Sequence, residues 1–210
     1  MGCCAIRKPF QDEETTIALS ESRLNFQANT PAATLETIKI HSHNSRISPT
    51  QLTTISQLLQ LQLPDSPPLL QSFTKAGAID SRKLLLLGIS LSHGSDAEKA
   101  AAYFDVMDSE SKGRVGKTQV RNLLEDLTDV VVNSSLLLVS EEAKVEEYQR
   151  KLRVGRAKSI FHLEQRIMSG QETITKEAFS AAFKDPEVET LAMPKSLRTY
   201  LVFSQDSQLA

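Results

Sequence analysis

The chain is poor in the residues that build most small-domain chemistry. Its two cysteines, Cys3 and Cys4, stand side by side near the first residue, so the body has no thiol for a disulfide framework or a Cys-based zinc site. There is no tryptophan, aromatics make up 5% of residues, and 24 Lys+Arg against 26 Asp+Glu leave a formal charge of −2. A basic field with interleaved base-stacking rings is therefore missing, and nucleic acid is not an expected partner. Eight Gly and eight Pro in 210 residues are too few for the turns of a many-stranded fold. The longest apolar runs, at 84–87 and 136–139, fall far short of the roughly 20 residues that cross a bilayer, so no transmembrane helix is expected.

Catalytic patterns are missing too. His41, His43, His93 and His162 are scattered, with no catalytic Ser or Cys motif beside them. Neither an enzyme nor a small-molecule substrate is expected. What the chain has is 40% hydrophobic residues and much Leu, Ala, Gln, Glu and Lys, the composition of a soluble, mostly α-helical protein with a real core.

The opening Met1-Gly2-Cys3-Cys4 lacks the apolar stretch of a secretory signal. Gly2 is placed to accept myristate once Met1 is removed, and Cys3 and Cys4 to accept palmitate, although Ile6 stands where that pattern prefers Ser or Thr. Two acyl chains, or one chain with the cations Arg7 and Lys8, hold a protein stably on a membrane. The expected location is the cytoplasmic face of a membrane, peripheral and lipid-anchored, or the cytoplasm without acylation. Residues 1–34, acidic and Ser/Thr-rich with scattered apolar positions, read as a flexible tether.

Helical punctuation then recurs. Ser48-Pro49-Thr50-Gln51 is a capping box with Pro at the first helical position, followed by Leu52, Ile55, Leu58 and Leu59. Asp80 opens a helix with Leu84, Leu85, Leu87, Ile89 and Leu91, and Ser95-Asp96-Ala97-Glu98 is a second capping box. Gly113 and Gly116 lead into Val120, Leu123, Leu124 and Leu127. A long charged segment containing Tyr148, Leu152, Ile160, Phe161 and Leu163 ends at Gly170, and shorter helices follow over 175–183 and 194–203.

Aligned on a branched residue in each inter-helix loop, four units repeat: Ile47, Ile79, Val115 and Ile174, each followed five residues later by an apolar residue. Gly77 and Gly113 precede two of them by two residues, where a calcium loop makes its sharp turn. Over about 35–190, and most closely over 83–124, the chain resembles the EF-hand superfamily, in particular recoverin-like neuronal calcium sensors and calcineurin B-like proteins. The resemblance implies an all-α fold of two EF-hand pairs, at 35–92 and 93–190, the second with an extended helix between its loops, and then a C-terminal helix and tail at 191–210. Loop spacings of 32 and 59 residues depart from the family, while the middle spacing of 36 fits it.

Calcium in such a loop takes oxygens from positions 1, 3, 5, 7, 9 and 12, the last a bidentate Glu. All four loops lack that Glu. The third has Asp108, Glu110 and Gln119 at positions 1, 3 and 12, but Lys112 at position 5, whose ammonium repels the ion. The second runs from Ser72 to Lys83, the first would run from Ile40 to Gln51 and the fourth from Ile167 to Ala178, none with an acidic first ligand. Calcium binding is expected to be weak or lost. The resemblance further implies an apolar groove for an amphipathic helix of a protein partner, with Leu84, Leu87, Leu91, Phe104, Met107, Leu123, Leu124 and Leu127 as its candidates. The expected function is a membrane-anchored regulatory adaptor, the alternative a calcium sensor using the third loop. A remote alternative is a nucleotide-binding P-loop at 111–118, which has Ser111 for the first glycine and an Ala-rich helical stretch where a strand should precede it.

Overall fold

A computed structural model of the chain describes residues 10–63, 68–134, 137 and 142–203. These residues are mostly helical, with a few short strands. The helices are α1 (Gln11–Ser22), α2 (Pro31–His41), α3 (Pro49–Leu58), α4 (Pro68–Phe73), α5 (Ser81–Leu91), α6 (Asp96–Met107), α7 (Lys117–Asp129), α8 (Glu142–Met168), α9 (Lys176–Ala182), α10 (Pro186–Glu189) and α11 (Pro194–Phe203). The strands are β1 (Arg46–Ile47), β2 (Thr74–Lys75), β3 (Ala78–Asp80), β4 (Arg114–Gly116) and β5 (Thr173–Thr175).

Local sequence sets most helix starts. The Ser48 hydroxyl accepts from the Gln51 amide at 3.3 Å while the Gln51 side chain accepts from the Ser48 amide at 2.8 Å, a reciprocal box that satisfies two orphan donors. Ser95 and Glu98 repeat it at the head of α6. The Asp80 carboxylate accepts from Arg82 and Lys83 to open α5, and Thr175 accepts from Ala178 to open α9. The long charged segment is one 27-residue helix, α8, which ends before Ser169 and Gly170, both left-handed.

The strands join the inter-helix loops two by two. β1 and β2 flank β3 in a three-stranded antiparallel sheet, with Ile47 opposite Ile79. β4 pairs with β5, with Val115 opposite Ile174. The four branched residues that align the sequence repeats are thus two cross-strand pairs, and all four are buried. Helices close around them. Leu84, Leu86, Leu87 and Ile89 of α5 are almost wholly inaccessible, and Phe104, Phe179 and Phe183 lie in a row of tilted rings with centroids 6.1 and 5.5 Å apart.

Residues 10–34 correct the tether reading. They form α1, a 3₁₀ turn at Phe26–Ala28 and the start of α2, and they bury Ile17, Leu24 and Phe26 in the core. The physical reason is that α1 docks by charge as much as by apolar area. Glu14 and Glu21, seven residues apart and so on one helix face, both reach Arg198 of α11. An acidic, Ser/Thr-rich stretch reads as solvated until its partner, some 180 residues away, is known. The acylation candidates Gly2, Cys3 and Cys4 lie outside the described residues.

Candidate functional site

The third loop joins α6 to β4. The Asp108 carboxylate is turned inward: one oxygen accepts from the Lys112 amide at 2.8 Å, the other from the Gly113 amide at 2.7 Å. Ser111 and Gly113 both take positive φ to make this turn, where glycine at 113 meets no steric cost. The Glu110 carboxylate pairs with the Lys112 ammonium, and that hydrogen bond, with the attraction beside it, holds Lys112 protonated above the usual lysine range. Gln119 closes the loop. Its side-chain oxygen accepts from the Gly116 amide at 2.8 Å and its nitrogen donates to the Met107 carbonyl at 3.1 Å, tying the last residue of α6 to the first turn of α7.

These residues do not fit calcium. A ligand at position 12 must present two oxygens, whereas Gln119 directs a donor across the loop. Both Asp108 oxygens accept from backbone amides, and one Glu110 oxygen is paired with Lys112. Among the described residues no three His, Cys, Asp or Glu side chains converge as a metal site.

The other three loops are shorter than twelve-residue ion loops. At the first, His43 and Arg46 exchange backbone hydrogen bonds of 2.8 and 2.9 Å around Asn44 and Ser45, both left-handed. At the second, β2 and β3 form a hairpin around Ala76 and Gly77, and Ser72 lies inside α4 with its hydroxyl donating to the Leu69 carbonyl. At the fourth, Ile167 is still helical and buried at the end of α8. The segment at 111–118 runs from this turn through β4 into α7 and follows helix α6, where a P-loop would follow a strand.

The expected groove is corrected by burial. Leu84, Leu87, Phe104, Met107, Leu123, Leu124 and Leu127 all lie in the core. The reason is that neighbouring helices already cover them: α5 packs on α2, α6 on α9 and α7 on α8, while α11 contributes Leu197, Leu201 and Val202 and packs on α8 and on the π-helical turn Val130–Ser134. The segment Thr190–Ala192 lies on α6, where its carbonyls accept from the Tyr103 hydroxyl and from the buried Lys99 ammonium. Burial lowers the pKa of that lysine, Asp96 opposes the shift only in part, and the Ser90 and Ala192 carbonyls accept hydrogen bonds from it. Leu91 alone of the eight is partly open, in a cleft of about 420 Å³ with Ala18, His93, Met193 and Pro194.

Two features were missed by sequence reasoning. The first is the buried cluster of Glu14, Glu21, Tyr148 and Arg198, joining α1, α8 and α11. Arg198 is fully buried; burial opposes its charge, but the facing Glu21 and Glu14 carboxylates outweigh that and hold it protonated. The Tyr148 hydroxyl donates to Glu14, and its own deprotonation is suppressed by burial and by that carboxylate. The 14/21 spacing was the available signal. The second is Phe161, an apolar residue of the long helix that is 57% exposed. No protein-family model matches the chain, and no curated protein matches it at a significant level.

Proposed function

We propose that this chain is an EF-hand-like adaptor that holds one conformation without calcium, sits at a membrane through acylation of Gly2, Cys3 and Cys4, and binds a partner protein. The observation that carries the reading is the third loop, whose ligand positions are closed on one another by Asp108, Lys112 and Gln119. Pairing of the loops through Ile47 with Ile79 and Val115 with Ile174 supports an EF-hand-like ancestry of the units. In a sensor, the ion supplies the free energy that reorients the helices. Here hydrogen bonds already fix that geometry, so the helix pairs form a standing scaffold. An amphipathic helix from the partner would meet the cleft beside Leu91, since the other groove candidates are core.

Calorimetric titration of the full chain with calcium tests this. Silence through millimolar calcium is the expected outcome, with the same unfolding temperature in calcium and in chelator. Micromolar binding abolished by Asp108→Ala makes the chain a calcium sensor instead.

A further inference from the structure

We propose that the outward face of α8 is a second membrane contact, a basic and apolar strip that lies on an anionic lipid surface beside the acylated end of the chain. It rests on the membrane attachment proposed above, but not on calcium or on a protein partner.

The inner face of α8 buries Tyr148, Leu152, Ile160, Leu163 and Ile167. At 3.6 residues per turn, Arg150, Val154, Ala157, Lys158 and Phe161 fall together on the opposite side, and all five are exposed. Val154 is 61% and Phe161 57% accessible, two apolar residues held in water two turns apart. Exposed Arg153 flanks them. From 148 to 163 the helix has five Lys or Arg and no Asp or Glu. Glu164, the next acid, is wholly buried between Arg121 and Lys117 of α7, so its charge is matched from below. The exposed pair Glu146 and Glu147 lies a turn before Arg150, beyond the end of the strip. Cations around an apolar stripe are the pattern of a helix lying in a membrane interface.

Two observations select lipid as the occupant. The chain enters the fold on this same helix: the Phe10 ring stacks on Tyr148 with centroids 4.9 Å apart, and the Lys151 ammonium lies 5.0 Å from its centre. Gly2 is eight residues before Phe10, so an acyl chain there is attached within about 28 Å of it. Val154 and Phe161 lie about 4.5 and 15 Å along the helix from Lys151. Acyl groups and strip therefore reach one bilayer together. Next to the strip, a cleft of about 450 Å³ is lined by Arg121, Arg153, Arg156, Ile160 and Phe161 together with Glu125, so that three guanidinium groups outnumber one carboxylate where lipid phosphates would lie. Arg156 is already held by the Glu125 carbonyl, Thr128 and Asp129, and Arg121 by Glu164, which leaves Arg153, whose bond to Asn133 is long at 3.5 Å, as the closest phosphate contact.

The natural chain has no tryptophan, so Phe161→Trp and Leu58→Trp each add a single fluorescent reporter at an exposed position, one on the strip and one on α3. Both are made in the unacylated full chain carrying Gly2→Ala and mixed with vesicles of phosphatidylcholine alone or with an equal part of phosphatidylserine. The expected result is a blue shift for Phe161→Trp with the anionic vesicles only, and none for Leu58→Trp. In co-sedimentation, the combined Arg150→Glu, Arg153→Glu and Lys158→Glu variant should lose about tenfold or more of its partitioning, with its unfolding temperature unchanged. No shift at 161, an equal shift at 58, or unaltered partitioning of the charge variant overturns the proposal and gives the strip to an acidic protein partner. A calcium response in calorimetry overturns the proposed function without moving these readouts, so the two fail separately.

Discussion

Arg198 is the residue on which the most structure converges. Its guanidinium meets Glu14 at 2.8 Å and Glu21 at 2.7 Å with no access to water. Removing one member of such a cluster leaves the others charged and unpaired in a dry site, which costs far more than the cluster contributes over an apolar replacement. Arg198→Leu should lower unfolding free energy by about 3–5 kcal/mol in urea titrations. Arg198→Lys should recover only part of this, because a lysine cannot face two carboxylates with a fixed fork of donors. Asp129 gives a pH signature. Burial alone would raise its pKa, but Lys83, Asn133 and Arg156 outweigh burial and hold it below the usual carboxylate value. The folded protein therefore binds fewer protons than the unfolded chain in the acid range, so this stability is complete above the ordinary carboxylate pKa and is lost as pH falls through the lowered one. Urea midpoints measured down the acid range should fall less steeply in Asp129→Asn than in the natural chain.

At the scale of elements, α5 is the strut around which the N-terminal half packs, and Gly88 sets how near its neighbours come. A Cβ there would lie 2.6 Å from the Thr34 methyl on α2 and 2.9 Å from the Phe26 ring. The Ser92 hydroxyl, four residues beyond Gly88, both donates to the Gly88 carbonyl and bonds the Thr34 hydroxyl at 2.9 Å. Gly88→Ala should therefore destabilise by about 1–3 kcal/mol through overpacking, against the usual gain from alanine in a helix. A variant as stable as the natural chain in thermal melts would show that α2 can move away freely. Helix starts at this scale were legible in the sequence, because Ser48, Asp80, Ser95 and Thr175 act on amides two or three residues away. Helix α1 was not, because its few apolar residues carry no periodic signal and its docking is made by charge to a distant helix.

At the scale of the whole molecule, the first and last helices are parts of one body. α1 packs on α8, and α11 fills the space between α8 and the Val130–Ser134 turn. The two loop pairs are also tied together: Lys39 of α2 donates to the Asp105 carbonyl of α6 at 2.7 Å, and Arg82 of α5 pairs with Asp126 of α7 at 2.5 Å. A chain starting at residue 35 would remove Ile17, Leu24 and Phe26 from the core and leave Arg198 buried without Glu14 or Glu21. Such a fragment should show no cooperative urea transition, and poor amide dispersion in NMR spectra. A cooperative transition would mean that the core closes without α1.

What the sequence determined by itself is the part of the structure made by short-range forces: a helical chain, its caps, and four loops whose branched residues repeat. Those signals act within a turn or two of backbone, so they are complete in a local stretch of sequence. Tertiary structure alone decided which of the apolar residues would be surface. Leu84, Phe104 and Leu123 belong to the core because α2, α9 and α8 pack over α5, α6 and α7, and Phe161 faces water because it lies on the side of α8 away from that core. The same holds for charge. Glu14, Glu21 and Arg198 read as solvated residues one by one, and become a buried clasp only when folding brings positions some 180 apart within 3 Å. Burial is a property of what arrives from elsewhere in the chain, and no local pattern records that.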